Sequence, residues 1–467
     1  MMRSSIAVLL AMVCAACVAP HLSPADQGRA RQPNIVVLLV DDMGWSQTSL
    51  PSPVDGKRSK FYETPALEAL AASGMTFTSA YSAAAICSPT RAALMTGKHP
   101  ARLHLTDYIP GNRETDTALA EPDWQRFLPL YEETLAEVLG RAGYRTALFG
   151  KWHLDPQHSP LDQAHFKPQA HGFDEALVTY DPKPHQAREW QTPEGDGHNT
   201  DLITKLSIDF IARNADHPFL IVVSYNAIHD PLMERATTIA RYEAKQGRRP
   251  TDHPVLAAMV ERLDRSIARI DAALGEHGLE NDTILVFTSD NGGALRFARQ
   301  DPFRAGKGAL YEGGIRVPLI IRWPGVTAPG AHSAALALTH DLFTTLTAAA
   351  GIAPVAGTDG IDLASALAGH SGERRTAYWH YPHYHALLEM RPASAMRHGR
   401  YKLVERHETG AAELFDLAVD PSERFDRAEA EPKRTAQMRR ELARWRQATG
   451  AQMPQARQAI VVGQAPY

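Results

Sequence analysis

The sequence predicts an α/β protein: a large, mixed but mostly parallel sheet between helices, followed by a small antiparallel sheet with one helix. Three observations predict it. Asn34 to Val40 (NIVVLLV) is an unbroken aliphatic run bounded by Pro33 and by Asp41 and Asp42, as in a strand buried on both faces. Similar runs at Thr146 to Phe149, Phe219 to Ser224, Thr283 to Ser289 and Val317 to Ile321 alternate with helical patterns, the order of a sheet covered by helices. After about residue 371 the texture changes to short aromatic segments, so a second unit is expected over residues 371–467 and one large domain over residues 33–370.

The helical patterns lie at Pro65 to Ser73, Pro89 to Met95, Glu133 to Arg141, Asp201 to Arg213 and Pro254 to Leu274. In the second unit Ala377 to His380, Tyr401 to Val404 and Glu413 to Leu417 read as strands, and Pro432 to Thr449 as a charged helix. The Pro- and His-rich stretches Pro156 to Gln169 and Tyr180 to Thr200 read as long surface loops of the kind that shape pockets.

At 467 residues the chain could hold about three domains of ordinary size, but large α/β units exceed that size and fewer are expected. A net charge of -4 with 44% hydrophobic and 22% charged residues excludes a disordered acidic protein and a basic nucleic-acid binder. Arg3 followed by the apolar run Ile6 to Val13 and small residues reads as a secretory leader over residues 1–19. That run is far short of the roughly 20 residues needed to span a bilayer, so no transmembrane helix is expected. Cys17 follows Ala15 and Ala16, so either lipidation at Cys17 or cleavage after Ala19 would leave an exported, periplasmic protein. Cys14 and Cys17 fall in this region, leaving Cys87 as the one thiol of the body and no disulfide framework.

Asp41 and Asp42 stand at the carboxyl end of the first strand, where open α/β sheets place their ligands. Alone they could be a turn cap and a solvated acid. A second strand ends in Asp290 and Asn291, and three carboxylates with an amide oxygen make a hard site suited to Ca²⁺, less so to Mg²⁺. Ser88 as N-cap and Pro89 at the first turn would open a helix, placing Cys87 at its positive end with Arg91 one turn in. From physics alone that is an anion site or a reactive thiolate.

Cys87-Ser88-Pro89-Thr90-Arg91, followed by Ala-Ala-Leu-Met-Thr-Gly-Lys, resembles the signature of the formylglycine-dependent sulfatases. The resemblance extends over PNIVVLLVDDMG from Pro33, GKWH from Gly150, TSDNG from Thr288 and GKGALYEGGIRVP from Gly306. It implies an alkaline-phosphatase-like sandwich and a maturation enzyme that converts Cys87 to formylglycine, whose hydrate is the nucleophile. It also implies Ca²⁺ held by Asp41, Asp42, Asp290 and Asn291 with residue 87, and a ring of sulfate-facing groups, Arg91, Lys151, His153, His229 and Lys307. In that scheme Asp290 takes the proton of the attacking hydroxyl and His229, with Lys307, protonates the leaving oxygen. His153 takes the proton whose loss releases the sulfate.

The segment Tyr378 to His385 (YWHYPHYH) resembles C-terminal segments of bacterial sulfatases acting on carbohydrate sulfates, and its aromatics could stack on a sugar or simply pack the small sheet. His380, His383 and His385 in it, Arg391 nearby, and His104, Asp107, His171 and Asp174 are the pocket candidates. The expected activity is hydrolysis of a sulfated glycan or oligosaccharide. A phosphonate or phosphodiester hydrolase with the same nucleophile and an inactive glycan-binding relative are the alternatives.

Overall fold

The computed structural model describes residues 32–111, 117–156, 163–179, 198–372, 374–385, 388 and 390–457. The leader, Cys14 and Cys17, and nearly all of the loop expected at residues 180–200 lie outside these residues. No helix among the described residues is long and apolar enough to cross a membrane.

In chain order the strands are β1 (Asn34–Val40), β2 (Met75–Tyr81), β3 (Leu119–Ala120), β4 (Arg145–Gly150), β5 (Glu175–Val178), β6 (Phe219–Ser224) and β7 (Thr283–Ser289). They continue with β8 (Leu319–Arg322), β9 (Ala331–Leu338), β10 (Thr376–Tyr381), β11 (Ala393–His398), β12 (Tyr401–Arg406), β13 (Ala412–Asp416) and β14 (Gln455–Ala456). The helices are α1 (Pro65–Ser73), α2 (Cys87–Thr96), α3 (Pro100–Leu103), α4 (Leu135–Arg141), α5 (Asn199–Arg213) and α6 (Ala236–Glu243). After them come α7 (Pro254–Glu276), α8 (Glu312–Ile315), α9 (Asp341–Ala349), α10 (Ala364–Leu367) and α11 (Pro432–Thr449).

The large sheet has the order β5-β4-β6-β1-β7-β8-β2-β9, and within it only β8 runs antiparallel to both its neighbours. All seven residues of β1 are buried, and they alternate between two cores. Ile35, Val37 and Leu39 join Leu94 of α2, Leu135 of α4 and Phe343 of α9 on one face. Val36, Leu38 and Val40 join Leu67 of α1, Ile211 of α5 and Leu263 of α7 on the other. An aliphatic run with no polar face therefore requires helices on both sides, which is the sandwich.

The small sheet, order β10-β11-β12-β13, is antiparallel throughout and carries α11 on one face through Met396, Leu403, Leu414 and Leu442. Its other face meets the large domain: Trp379 is fully buried, lies 5.3 Å from the Tyr81 ring and donates to the Ser82 carbonyl. Tyr378 stacks on Trp445 at 4.7 Å. The two readings left open for these aromatics are thus resolved towards packing.

Several boundaries differ for local reasons. Helix α2 begins at Cys87 with Ile86 as N-cap, so Ser88 is its second residue and not its cap. The Ser88 hydroxyl instead accepts the Ile109 amide, 3.0 Å away. Helix α4 starts at Leu135 rather than Glu133 because Thr134 and Glu137 form a reciprocal capping box. Strands β2, β5, β9 and β11 were not expected; their polar and alanine-rich sequences lack the aliphatic signal and form by pairing with neighbours.

Candidate active site

β1 and β7 are parallel neighbours in register, Val40 opposite Ser289, so the residues that follow them, Asp41-Asp42 and Asp290-Asn291, emerge side by side. Asp42 adopts φ 61°, a conformation uncommon away from glycine, and its amide donates to Asp290 Oδ1 at 3.2 Å. Ser289 ties the two turns, its hydroxyl accepting the Met43 amide and donating to the Asn291 carbonyl, both at 2.9 Å. The adjacent Gly292 is required by contact: a Cβ there would lie 1.9 Å from the Gly313 carbonyl oxygen.

Cys87 enters from the first turn of α2, with its Sγ 3.5 Å from Asp41 Oδ1. One ligand atom from each of Asp41, Asp42, Cys87 and Asp290 lies within 4.8 Å of the others, all four buried. Asn291 Nδ2 donates to Asp42 Oδ1 at 2.8 Å, while its buried Oδ1 has no hydrogen-bond partner. An orphaned carbonyl oxygen beside three buried carboxylates fits a hard divalent cation. The charge pattern agrees: burial and Asp41 push the Asp290 carboxyl up to about 7 despite Arg91.

The basic residues converge on the same end of the sheet. Gly150 closes β4 at φ 114°, where a Cβ would lie 1.8 Å from the Ser224 oxygen, and this close approach delivers Lys151 to the site. Lys151 pairs with Asp41, and against the effect of burial that ammonium holds the Asp41 carboxylate well below its usual range. Lys307 pairs with Asp42 at 2.7 Å and stays protonated because Asp42 outweighs burial. His229 Nε2 stands 3.8 Å from Asp42, while its Nδ1 meets the Asp230 carbonyl at 2.6 Å. Burial and Lys307 pull the His229 pKa down, Asp42 and Asp41 pull it up, and the net shift is upward.

His153, also in a left-handed conformation at φ 59°, bonds through Nε2 to the Ile109 carbonyl at 2.6 Å. That bond places the proton on Nε2 and leaves buried Nδ1 as an acceptor without a partner. Burial and Lys151 keep the ring neutral, with its pKa well below the ordinary value.

Two expectations are corrected here. A reactive Cys87 thiolate is not supported, because burial and Asp41 push the thiol well above its ordinary pKa and outweigh the nearby lysines. Arg91 does not present a free fork to an anion. It is 2% exposed, and its guanidinium binds Asp290 at 2.7 and 2.9 Å, the Ser224 hydroxyl at 2.7 Å and the Lys151 carbonyl at 3.0 Å. It braces Asp290 and the Lys151 turn together. Ser224, which also donates to the Lys151 carbonyl, was missed; ending a buried strand beside glycine-lysine was its only signal.

Five of the pocket candidates are engaged elsewhere. His104 bonds to the Gly450 carbonyl, His171 is buried against Trp152, and Asp174 accepts the Thr146 amide. His380 spans Ser394 and the Gln452 carbonyl, and Arg391 pairs with Glu408. Asp107, His383 and His385 do gather, around the segment that reaches Ser88 and His153 through Ile109. Tyr381 donates to Asp107 Oδ1 at 3.0 Å, Thr106 meets His383 Nε2 at 2.8 Å, and His385 lies against Tyr108. Asp107 Oδ2 is buried without a partner, and burial pushes this carboxyl up to about 6.

Comparison with known proteins gives consistent matches. The Sulfatase family model matches residues 33–352, and the model described as N-sulphoglucosamine sulphohydrolase, C-terminal, matches residues 305–448. The chain is 34% identical over 368 residues to mouse N-acetylgalactosamine-6-sulfatase, covering 72% of this chain and 66% of that protein. It is 30% identical to human arylsulfatase A, covering 85% and 83%. Among solved structures, Ps i-CgsB in complex with k-i-k-neocarrahexaose superimposes with a TM-score of 0.73 at 25% identity, covering 89% of this chain and 93% of that one. The phosphonate monoester hydrolase of Agrobacterium radiobacter shares the fold with a TM-score of 0.70 at 20% identity, covering 91% and 97%.

Proposed function

The chain belongs to the sulfatase family, the type I sulfatases of the alkaline phosphatase superfamily, and from that premise we propose that this sulfuric ester hydrolase acts on a sulfated carbohydrate. The nucleophile is residue 87 after conversion to formylglycine by a maturation enzyme, and the metal is Ca²⁺ rather than Mg²⁺. The observation that carries the reading is the buried cluster of Asp41, Asp42, Cys87 and Asp290, completed by the orphaned Asn291 Oδ1. The relatives named for N-acetylgalactosamine-6-sulfate and the structure holding neocarrahexaose support a sugar sulfate as substrate. The N-terminal sequence supports export to the periplasm, with lipidation at Cys17 or cleavage after Ala19.

Asp41, Asp42, Asp290 and Asn291 would hold the cation, which supplies positive charge opposite the sulfate oxygens. The formylglycine hydrate supplies an oxygen nucleophile that can later let the sulfate go. The chain's own residues do the rest. Lys151, paired with Asp41, and Lys307, held protonated by Asp42, lower the negative potential an incoming ester meets. Asp290, one of the acids clustered with residue 87, is placed to accept the first proton. His229, held by its Nδ1 to the Asp230 carbonyl, aims Nε2 into the site and can carry a proton to the departing alcohol oxygen. His153 is neutral, with a bare Nδ1, and can take the proton whose loss frees sulfate. Arg91 and Ser224 position Asp290 and Lys151, and the buried Asp107, Tyr381 and His383 brace the segment that reaches Ser88 and His153 through Ile109.

The test is mass spectrometry of the residue-87 peptide from protein produced beside a maturation enzyme, paired with sulfate release from sulfated glycans. Oxygen replacing the sulfur and two hydrogens, with sulfate release lost in Cys87→Ala, is expected. Unmodified cysteine, or faster turnover of matched phosphonate esters, would overturn the proposal.

A further inference from the structure

Beside the active site, on the far side of Gln47 and Gln300, lies a groove of about 570 Å³ whose lining is strongly basic. Seven cationic side chains border it against three carboxylates, an excess of four positive charges on a chain whose net charge is -4. The acids are already taken: Lys57 pairs with Asp55, Arg249 with Asp252 and Arg299 with Asp301. Arg58 reaches the Ser49 carbonyl and Glu68. Lys60, Arg248 and Arg424 have no side-chain partner among the described residues, although three charges of one sign along one groove repel each other. Such an arrangement is stabilised by a polyanion.

We propose that this groove binds an unreacted stretch of a sulfated polysaccharide while another part of the chain enters the active site; the polymer's identity rests on the carbohydrate reading above. The groove continues through Arg299, Asp301 and Arg424 into a second cavity of about 760 Å³, so it can take an extended chain. Its large apolar residues do not serve other polyanions. Trp45 and Phe61 are each only 5% exposed, so neither offers a ring face for base stacking or an anchor for lipid. Spaced ammonium and guanidinium groups match sulfate groups spaced along a glycan.

The groove is also coupled to the catalytic turns. Gln47 accepts the Gly44 amide, two residues after Asp42, and donates to the Arg299 carbonyl. Gln300, between Arg299 and Asp301, fits against Gly44 and Gly293, where a Cβ would lie 1.9 Å and 2.5 Å from its amide group. A chain held on Arg299 and Arg424 is therefore one layer of side chains from the turns that carry Asp42 and Asn291.

The test uses the matured enzyme and the variant Lys60→Ser/Arg248→Ser/Arg424→Ser, three exposed positions outside the catalytic machinery, with dextran sulfate, unsulfated dextran and single-stranded DNA as probes. Wild type should bind dextran sulfate and not dextran, with affinity falling as salt rises. The variant should bind about tenfold more weakly, the summed worth of three exposed ion pairs. Its kcat/KM on nitrophenyl sulfate should be unchanged. Undiminished binding of dextran sulfate by the variant overturns the proposal, as does tighter groove-dependent binding of DNA. Groove-dependent binding with no sulfate released from any glycan would refute the carbohydrate reading and leave the groove a polyanion site.

Discussion

Lys402→Met tests whether the small sheet is held to the active-site loop by buried charge. Lys402 is fully buried and its ammonium lies 2.9 Å from Glu312 and 2.8 Å from Glu423, both also inaccessible. Glu312 keeps Arg316 at 3.1 Å and the Tyr81 hydroxyl at 2.7 Å, and stays ionised, at about 2, because Lys402 and Arg316 outweigh burial. Glu423 has weaker support, and burial pushes it up to about 7. Methionine fills similar space without charge, so the loss falls on Glu423, at a cost of about 3–5 kcal/mol for an orphaned buried partner.

The pH dependence follows from the sign of that shift. A folded pKa raised above the unfolded 4.5 means that the folded state binds the proton more tightly, so stability falls as pH rises between the two values. Without Lys402 the folded value moves higher still, and the deficit keeps growing above about 7. From about pH 7 to about pH 8.5 it should widen by about 2 kcal/mol, at about 1.4 kcal/mol per unit. Urea denaturation at both pH values, with Lys402→Met/Glu423→Gln as the partial rescue, measures it. A deficit below about 1 kcal/mol, or one independent of pH, would refute the buried-charge argument.

Asn291→Leu should weaken Ca²⁺ binding by about tenfold or more in calorimetric titration, because it deletes the orphaned Oδ1; unchanged affinity would remove Asn291 from the ligand set. His229→Ala should slow esters of unactivated alcohols by about a hundredfold more than nitrophenyl sulfate, which needs no proton on departure, and equal losses would end its acid role. Burial depresses His99, His171 and His407 to about 4 and His380 to about 3, so these rings stay neutral when folded and take up protons when unfolded. Each ring's contribution to stability should fall as pH drops below the ordinary 6.5, by up to about 2 kcal/mol at about pH 5. Because raised acids such as Glu423 act in the opposite sense over this range, the test is His171→Phe, which should lose about 2 kcal/mol less stability than wild type between about pH 7 and about pH 5 in urea denaturation; an identical pH dependence would contradict the burial of that ring.

Local pattern made the central part of the molecule legible. Asn34 to Val40 carries no polar face, so β1 had to be buried on both sides, and the acids following it and Ser289 had to emerge together at the sheet's carboxyl edge. The short motif opening α2 made Cys87 recognisable whichever residue capped that helix. Strands such as β9, whose sequence is mostly alanine and small polar residues, were invisible because their stability comes from pairing and not from their own hydrophobicity. The imidazoles of the small sheet misled for a related reason. A histidine donating to a backbone carbonyl in the core and one lining a pocket look alike in sequence.

Periodicity along the chain was enough to predict the sandwich, and the motifs shared with the sulfatases pointed to the two acidic turns, to residue 87 and to the basic residues that gather around them. What those residues do for one another emerged only once the chain was folded. Folding turned Arg91 from an anion fork into a brace on Asp290 and Ser224, kept Cys87 a neutral thiol, fixed the His153 tautomer through the Ile109 carbonyl and gathered Lys60, Arg248 and Arg424 along one groove. A side chain's charge state and partners are set by burial and by atoms a few ångströms away. In this fold those atoms belong to residues far apart in the chain.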